Sequence, residues 1–197
     1  MEFPATGGRG VLVCGNLILT AACCVDYEAP GAVAFQGDLI QEIQTYAGNN
    51  LKVQILAVDL ISDFAILGSP DYLEFGNESD AFTEYCAATT PVPICFKNYG
   101  RGSEFSVAIW VRKNIWVDGK AKLTDLNTRR ITIESAIQIR GGTCGSAIVN
   151  EMGELIAVAS NSRAGGENNG QEFFGLHPFI PKALPVWAVQ KHREGLR

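Results

Sequence analysis

No apolar run among the 197 residues approaches the roughly 20 that a helix needs to cross a bilayer. The opening MEFPATGGRG also lacks the basic-then-apolar layout of a secretory signal. Both absences favour an intracellular, cytoplasmic protein with no membrane partner. Basic stripes are missing too: 16 Lys and Arg stand against 21 Asp and Glu, and Arg129-Arg130 is an isolated pair. Nucleic acid is therefore excluded as a main partner, because affinity for it rests on clustered cations. Histidine is nearly absent. Only His177 and His192 occur, so an imidazole general base has two candidates. The chain has no CxxC or HxxxH spacing, and no metal or cofactor is expected.

What is present describes a globular chain, with 47% hydrophobic and 19% charged residues. The six cysteines (14, 23, 24, 86, 95 and 144) have neither a signal peptide nor short-chain density beside them, which favours reduced thiols over a disulfide framework. Cys14, Cys24, Cys86 and Cys95 lie in apolar surroundings and read as small buried hydrophobes. The sequon Asn77-Glu78-Ser79 is taken as chance.

Short β-rich runs alternate with Gly, Asn, Asp and Pro. The expected strands are 9–14, 17–20, 32–36, 39–46, 51–59 and 64–67, then 92–97, 103–112, 130–134, 146–149, 155–159 and 172–176. Many short strands at this spacing predict an all-β barrel or sandwich. Helical periodicity emerges only at 180–193, where Leu184, Trp187, Ala188 and Lys191 share a face. There is no fixed-period repeat. The expected layout is a single domain over 1–197: a barrel at about 9–70, a connection at about 71–91, a second barrel at about 92–178, and a helix.

Three segments occur in a telling order. Leu17-Ile18-Leu19-Thr20-Ala21-Ala22-Cys23-Cys24-Val25 resembles the trypsin-family strand that ends in Thr-Ala-Ala-His-Cys-Val. Ser62-Asp63-Phe64-Ala65-Ile66-Leu67 resembles that family's Asp-x-Ala-x-Leu strand. Gly142-Thr143-Cys144-Gly145-Ser146-Ala147 is similar to its Gly-x-Ser-Gly-Gly-Pro turn, and closer to the Gly-x-Cys-Gly of the viral 3C-like cysteine peptidases. The separations, 40 residues from Cys23 to Asp63 and 81 from Asp63 to Cys144, suit compact members. Phe174-Gly175-Leu176-His177-Pro178-Phe179-Ile180-Pro181 also resembles the Gly-Phe-Ala-Ile-Pro stretch of the bacterial stress proteases. The resemblance covers about 9–190 and implies two antiparallel β-barrels of the chymotrypsin type, with a C-terminal helix outside them.

It also implies roles. Cys144 takes the nucleophile's place, Asp63 that of the residue orienting a histidine, and the N–H groups of Gly142 and Cys144 form the oxyanion site. Cys23, however, occupies the histidine's position, and a thiol shuttles protons poorly near neutrality. His192 is expected on the surface of the terminal helix, and His177 at the pocket wall rather than beside Cys144. Gln138 falls at the floor of the primary pocket, where trypsins carry Asp, which argues against a Lys or Arg preference. Ala159 stands where 3C enzymes read Gln with a histidine, so a Gln preference has no support. Ser160-Asn161 is expected to offer a strand edge to an extended peptide. The implied partner is a peptide or protein substrate; oligomeric state stays open.

Three functions remain in play. One is an endopeptidase with Cys144 as nucleophile, weakened or silenced at Cys23. Another is an inactive relative that binds peptides or a protein partner. The third is a redox-responsive thiol protein using Cys23 and Cys144. A strain-free Cys23–Cys144 bridge is disfavoured, since the fold leaves an imidazole's width between these places and a disulfide needs close Cα atoms. Cys24 is expected to point into the core, away from the cleft.

Overall fold

A computed structural model describes residues 1–25, 39–97, 99–100, 102–112, 115–123, 130–135, 143–160 and 173–196. Six strands close a first antiparallel barrel: β1 (Glu2–Phe3), β2 (Gly8–Val13), β3 (Leu17–Thr20), β4 (Ile40–Gln44), β5 (Asn50–Asp59) and β6 (Phe64–Gly68). Around the barrel they run β1-β2-β3-β6-β5-β4. Glu2 makes the closure, pairing with Arg9 on one side and Gln44 on the other. The expected strand at 32–36 lies outside the described residues.

A helix, α1 (Gly76–Ala88), then covers the barrel, and the chain crosses to a second six-stranded sheet. Its strands are β7 (Glu104–Arg112), β8 (Ile115–Lys122), β9 (Arg130–Ser135), β10 (Ala147–Asn150), β11 (Leu155–Val158) and β12 (Phe173–Pro178). They order as β11-β10-β7-β8-β9-β12, and a bridge between Ala157 and Phe179 draws the two ends together. The all-β, two-barrel expectation is met.

Why the apolar runs are continuous rather than alternating follows from which faces are buried. Successive side chains on a strand point to opposite faces. Leu12, Ile18, Ala65 and Leu67 fill the first barrel, while Val11, Val13, Leu17, Leu19, Phe64 and Ile66 point outward. Those outward residues meet Ala147, Val149, Leu155 and Val158 of the second sheet in a shared core between the barrels. Strands with both faces covered need apolar residues at every position. Near Leu56 the β5–β6 register shifts, pairing Ile55 with Leu67 but Ala57 with Ile66. Such a bulge sharpens the twist that closing a barrel requires.

Five expectations needed correction, the last being the surface position of His192. Residues 76–88 read as a connection because α1 buries only Ser79, Phe82 and Cys86 along one narrow stripe, too little apolar contrast to register. β8 was missed because most of its residues are exposed or half-exposed and Asp118-Gly119-Lys120 interrupts the pattern. Residues 92–97 form no regular strand but run between the barrels through single bridges, Val13–Val92 and Ile94–Leu155; Pro91 and Pro93 supply no N–H for a ladder. The terminal helix is two pieces, α2 (Ile180–Ala183) and α3 (Val186–Glu194). Pro185 separates them, with Leu184 before it forced extended. Ile180, Ala183 and Ala188 pack into the inter-barrel core, so this end does not lie simply outside. His192 is buried, accepting the Ile94 N–H through Nε2 at 3.5 Å and meeting Phe96 edge-on. Burial lowers its pKa and favours the neutral ring.

Arg9 clamps the barrels together. One guanidinium nitrogen donates to the Val111 carbonyl and to Ser146 Oγ, and the group lies 4.9 Å from the centre of the Trp110 ring. Arg9→Met keeps much of the stem and removes these contacts. Hydrogen bonds to charged groups contribute about 1.5–3 kcal/mol each, so the variant should lose about 2–4 kcal/mol in urea unfolding. An unchanged midpoint would mean that the shared apolar core alone joins the barrels.

Candidate active site

At the end of β3 the chain makes one turn of 3₁₀ helix over Ala22–Cys24, closed by Cys24 N–H to Ala21 O (3.0 Å) and Val25 N–H to Ala22 O (3.2 Å). So tight a turn sends neighbouring side chains opposite ways: Cys23 is exposed and Cys24 buried. Asp63 arrives from the β5–β6 turn. There Asp59 Oδ1 accepts the Ile61 and Ser62 N–H groups at 3.0 and 3.1 Å, and its Oδ2 accepts the Ser62 hydroxyl at 2.7 Å. That clasp sets up the left-handed backbone of Asp63 (φ 54°), a conformation Asp tolerates better than most residues. Asp63 Oδ1 then accepts the Cys23 N–H at 3.1 Å, tying the two turns together.

The second barrel contributes the turn at Thr143–Ser146, held by Ser146 N–H to Thr143 O (3.0 Å) and Gly145 N–H to Ala159 O (2.7 Å). Across the seam, the Cys144 carbonyl accepts the Arg9 N–H at 2.8 Å. Among the described residues, no backbone carbonyl takes the Cys144 N–H. Gly142, its expected oxyanion partner, lies outside the described residues, as do Gln138 and Asn161.

Ser160 joins the halves. Its hydroxyl donates a short hydrogen bond to Asp63 Oδ2, and its N–H donates to His177 Nδ1 at 3.0 Å. An Nδ1 that accepts carries no proton, so a neutral His177 bears its proton on Nε2. The expected open strand edge at Ser160 is thus partly committed, its hydroxyl and N–H both used inside the protein. His177 is buried behind Ser160, on the β12 side. Ala159 is buried in the second barrel, with its N–H on Ser146 O and its carbonyl on Gly145 N–H. It contributes fold, not pocket lining, because its side chain faces the core.

Cys24 belongs to the first barrel's core, as expected, and Cys144 packs against that same cluster. Donation from Cys144, then from Cys23, holds the Cys24 thiol well below the usual thiol range, against the opposing effect of burial. The Cys144 thiol is pushed far up, by its bonds to Cys23 and then Cys24 and by burial. Three adjoining thiols thus favour one negative charge and resist a second.

No family model and no curated protein matches the sequence. Among solved structures, a serine endoprotease from Yersinia pestis superposes with a TM-score of 0.59 at 19% identity, over 95% of this chain. The fold is chymotrypsin-like. This chain spans 58% of that protein's length. In the chymotrypsin-like frame, Cys23, Asp63, Cys144 and Ser160 lie at the junction of the two barrels, where thiols, a fixed carboxylate and a Cys144 N–H with no backbone acceptor among the described residues stand within one region.

Proposed function

We propose that this chain is an endopeptidase-type protein that holds an extended peptide between its barrels with Cys144 as the nucleophile. Its turnover is weakened or abolished because Cys23 stands where a proton shuttle is needed. The observation carrying this reading is the linked set of Asp63 on the Cys23 backbone and Ser160 on Asp63, with the Cys144 turn tied across the seam to Arg9. Asp63 orients residue 23, Cys144 attacks the scissile carbonyl, and the N–H groups of Gly142 and Cys144 receive the developing oxyanion. Gln138, Ser160 and Asn161 form the substrate-binding side, with His177 setting Ser160 from behind.

A second reading has its own support. The Cys23 thiol is exposed, and both histidines are engaged elsewhere, His177 by Ser160 and His192 by Ile94. A cleft without imidazole suits an inactive relative that binds peptides or a protein partner.

Labelling with a peptidyl vinyl sulfone tests the nucleophile. The adduct is expected on Cys144 and lost in Cys144→Ala. Because the Cys144 thiol is raised, less of it is ionised at neutral pH, so labelling should still be climbing above pH 8–9, where a free thiol has already titrated. Adduct on Cys23 alone would overturn the assignment.

A further inference from the structure

The terminal helix α3 is strapped to three parts of the molecule at once. Its last turn lies directly on the β2–β3 hairpin: a Cβ at Gly15 would stand 2.4 Å from the Lys191 carbonyl oxygen, and one at Gly195 would stand 2.3 Å from the Gly15 nitrogen. Ala188 enters the core between the barrels. Between them in the helix, His192 is buried to 1% exposure, accepts the Ile94 N–H through Nε2 at 3.5 Å, and meets the Phe96 ring edge-on at 5.5 Å. Ile94 and Phe96 belong to the segment that carries the chain from one barrel to the other, and Ile94 itself lies in the shared core. An Nε2 that accepts carries no proton, so the neutral ring holds its proton on Nδ1, which makes no full hydrogen bond among the described residues.

We propose that His192 is an acid-sensitive latch: its neutral ring ties the terminal helix to the segment between the barrels, and protonation of Nε2 releases both. A proton taken from solvent occupies the lone pair that accepted Ile94, leaving two N–H groups face to face. The charge it brings has no buried anion beside it among the described residues. On its own helix the ionisable neighbours are Lys191, Arg193 and Glu194, all exposed. β2 contributes the Cys14 carbonyl and a Cys14 thiol that burial keeps protonated; on α1, near Lys191, burial pushes the Cys86 thiol up to about 11. Lys97, on the inter-barrel segment, lies over Tyr99, 5.5 Å from the centre of its ring. A buried charge without a partner is neutralised or expelled, and expulsion here separates α3 from Ile94 and Phe96.

The direction of the response follows from burial. It holds the closed ring below the usual 6.5, against the lesser pull of the Cys14 carbonyl, whereas a released ring titrates near that usual value. The open form therefore binds more protons. The latch is fully closed above about pH 6.5, and its opening constant grows by up to about tenfold per pH unit below that, until the closed ring itself titrates. Such opening is local, since the strand ladders of the barrels do not involve His192. The latch stands whether or not the chain cleaves peptides.

Hydrogen exchange, corrected for the intrinsic effect of pH on exchange, tests it. Protection of the Ile94 and α3 amides should fall several-fold, up to about tenfold, between about pH 6.5 and 5.5, while the β2–β3 ladder keeps its protection. With only two histidines in the chain, the His192 ring can be followed by proton NMR, and its titration should track that fall. His192→Gln leaves an acceptor oxygen that takes up no proton, so Ile94 protection in this variant should not depend on pH over the same range. If His192→Gln fails to fold, exchange and ring titration in the unaltered protein decide alone. Unchanged Ile94 protection, an equal loss across the β2–β3 ladder, or the same fall in a folded His192→Gln protein overturns the proposal.

Discussion

Replacing Cys23 by His is expected to raise single-turnover cleavage of extended peptides by about 10²–10⁴-fold, the usual contribution of positioned acid–base catalysis. Half of the required support is already built. Asp63 Oδ1 holds the N–H of residue 23 at 3.1 Å, and Ser160 holds the other carboxylate oxygen. An imidazole on this backbone would find a carboxylate fixed from behind and a thiol in front. The substitution also removes the Cys23 thiol, the largest influence raising Cys144. Both changes act in one direction, toward a Cys144 that ionises when substrate is bound. Adding Cys144→Ala to Cys23→His should abolish the gain, since a catalytic set acts as a unit. Circular dichroism and thermal melting establish that the variant is folded. No increase from a folded Cys23→His protein would mean that more than the shuttle is missing, and peptide binding without turnover would be the better account.

The fold was legible because its core positions carry their own signature. Leu17-Ile18-Leu19 and Ala65-Ile66-Leu67 are continuous apolar runs, too short for helices and fully buried between a barrel interior and the inter-barrel core. Segments that failed to announce themselves are those stabilised by position rather than pattern. β8 is held by ladders to β7 and β9 while exposing most of its side chains. α1 shelters Phe82 and Cys86 against the first barrel with little amphipathic contrast. At the site, motif spacing picked out Cys23, Asp63 and Cys144; the structure ties the first two through the Cys23 N–H on Asp63 and keeps Cys24 in the core. The Ser160–Asp63 bond spans 97 positions, and the Arg9 clamp on Val111 spans 102. Neither has a local signal, because both arise only when two barrels close on each other.

Gly145→Ala is expected to be the most damaging small substitution at the site, costing about 2–5 kcal/mol of a total that for ordinary domains is about 5–15 kcal/mol. Two effects combine. Gly145 has φ +77°, where a Cβ crowds its own carbonyl at roughly 1–2 kcal/mol. That Cβ would also stand 1.8 Å from the Arg9 carbonyl oxygen and 2.4 Å from Thr20 Oγ1. The Arg9 oxygen belongs to the backbone of β2, which pairs at this residue with Glu2 of β1, so no flexible side chain can yield to relieve it; overpacking of this kind costs about 1–3 kcal/mol more. Gly153 isolates the second effect. It has the same φ of +77° in the β10–β11 hairpin, but a Cβ there meets nothing within 4 Å. Gly153→Ala should therefore show only the conformational cost. Urea unfolding of both variants measures the difference, and thiol titration adds a local readout: pushing Cys144 away from Arg9 should make Cys144 and Cys24 react faster with a disulfide reagent in Gly145→Ala alone. Equal destabilisation by the two substitutions, with unchanged thiol reactivity, would mean that the Cys144 turn is not wedged against Arg9 and that the thiol cluster owes its closeness to something else.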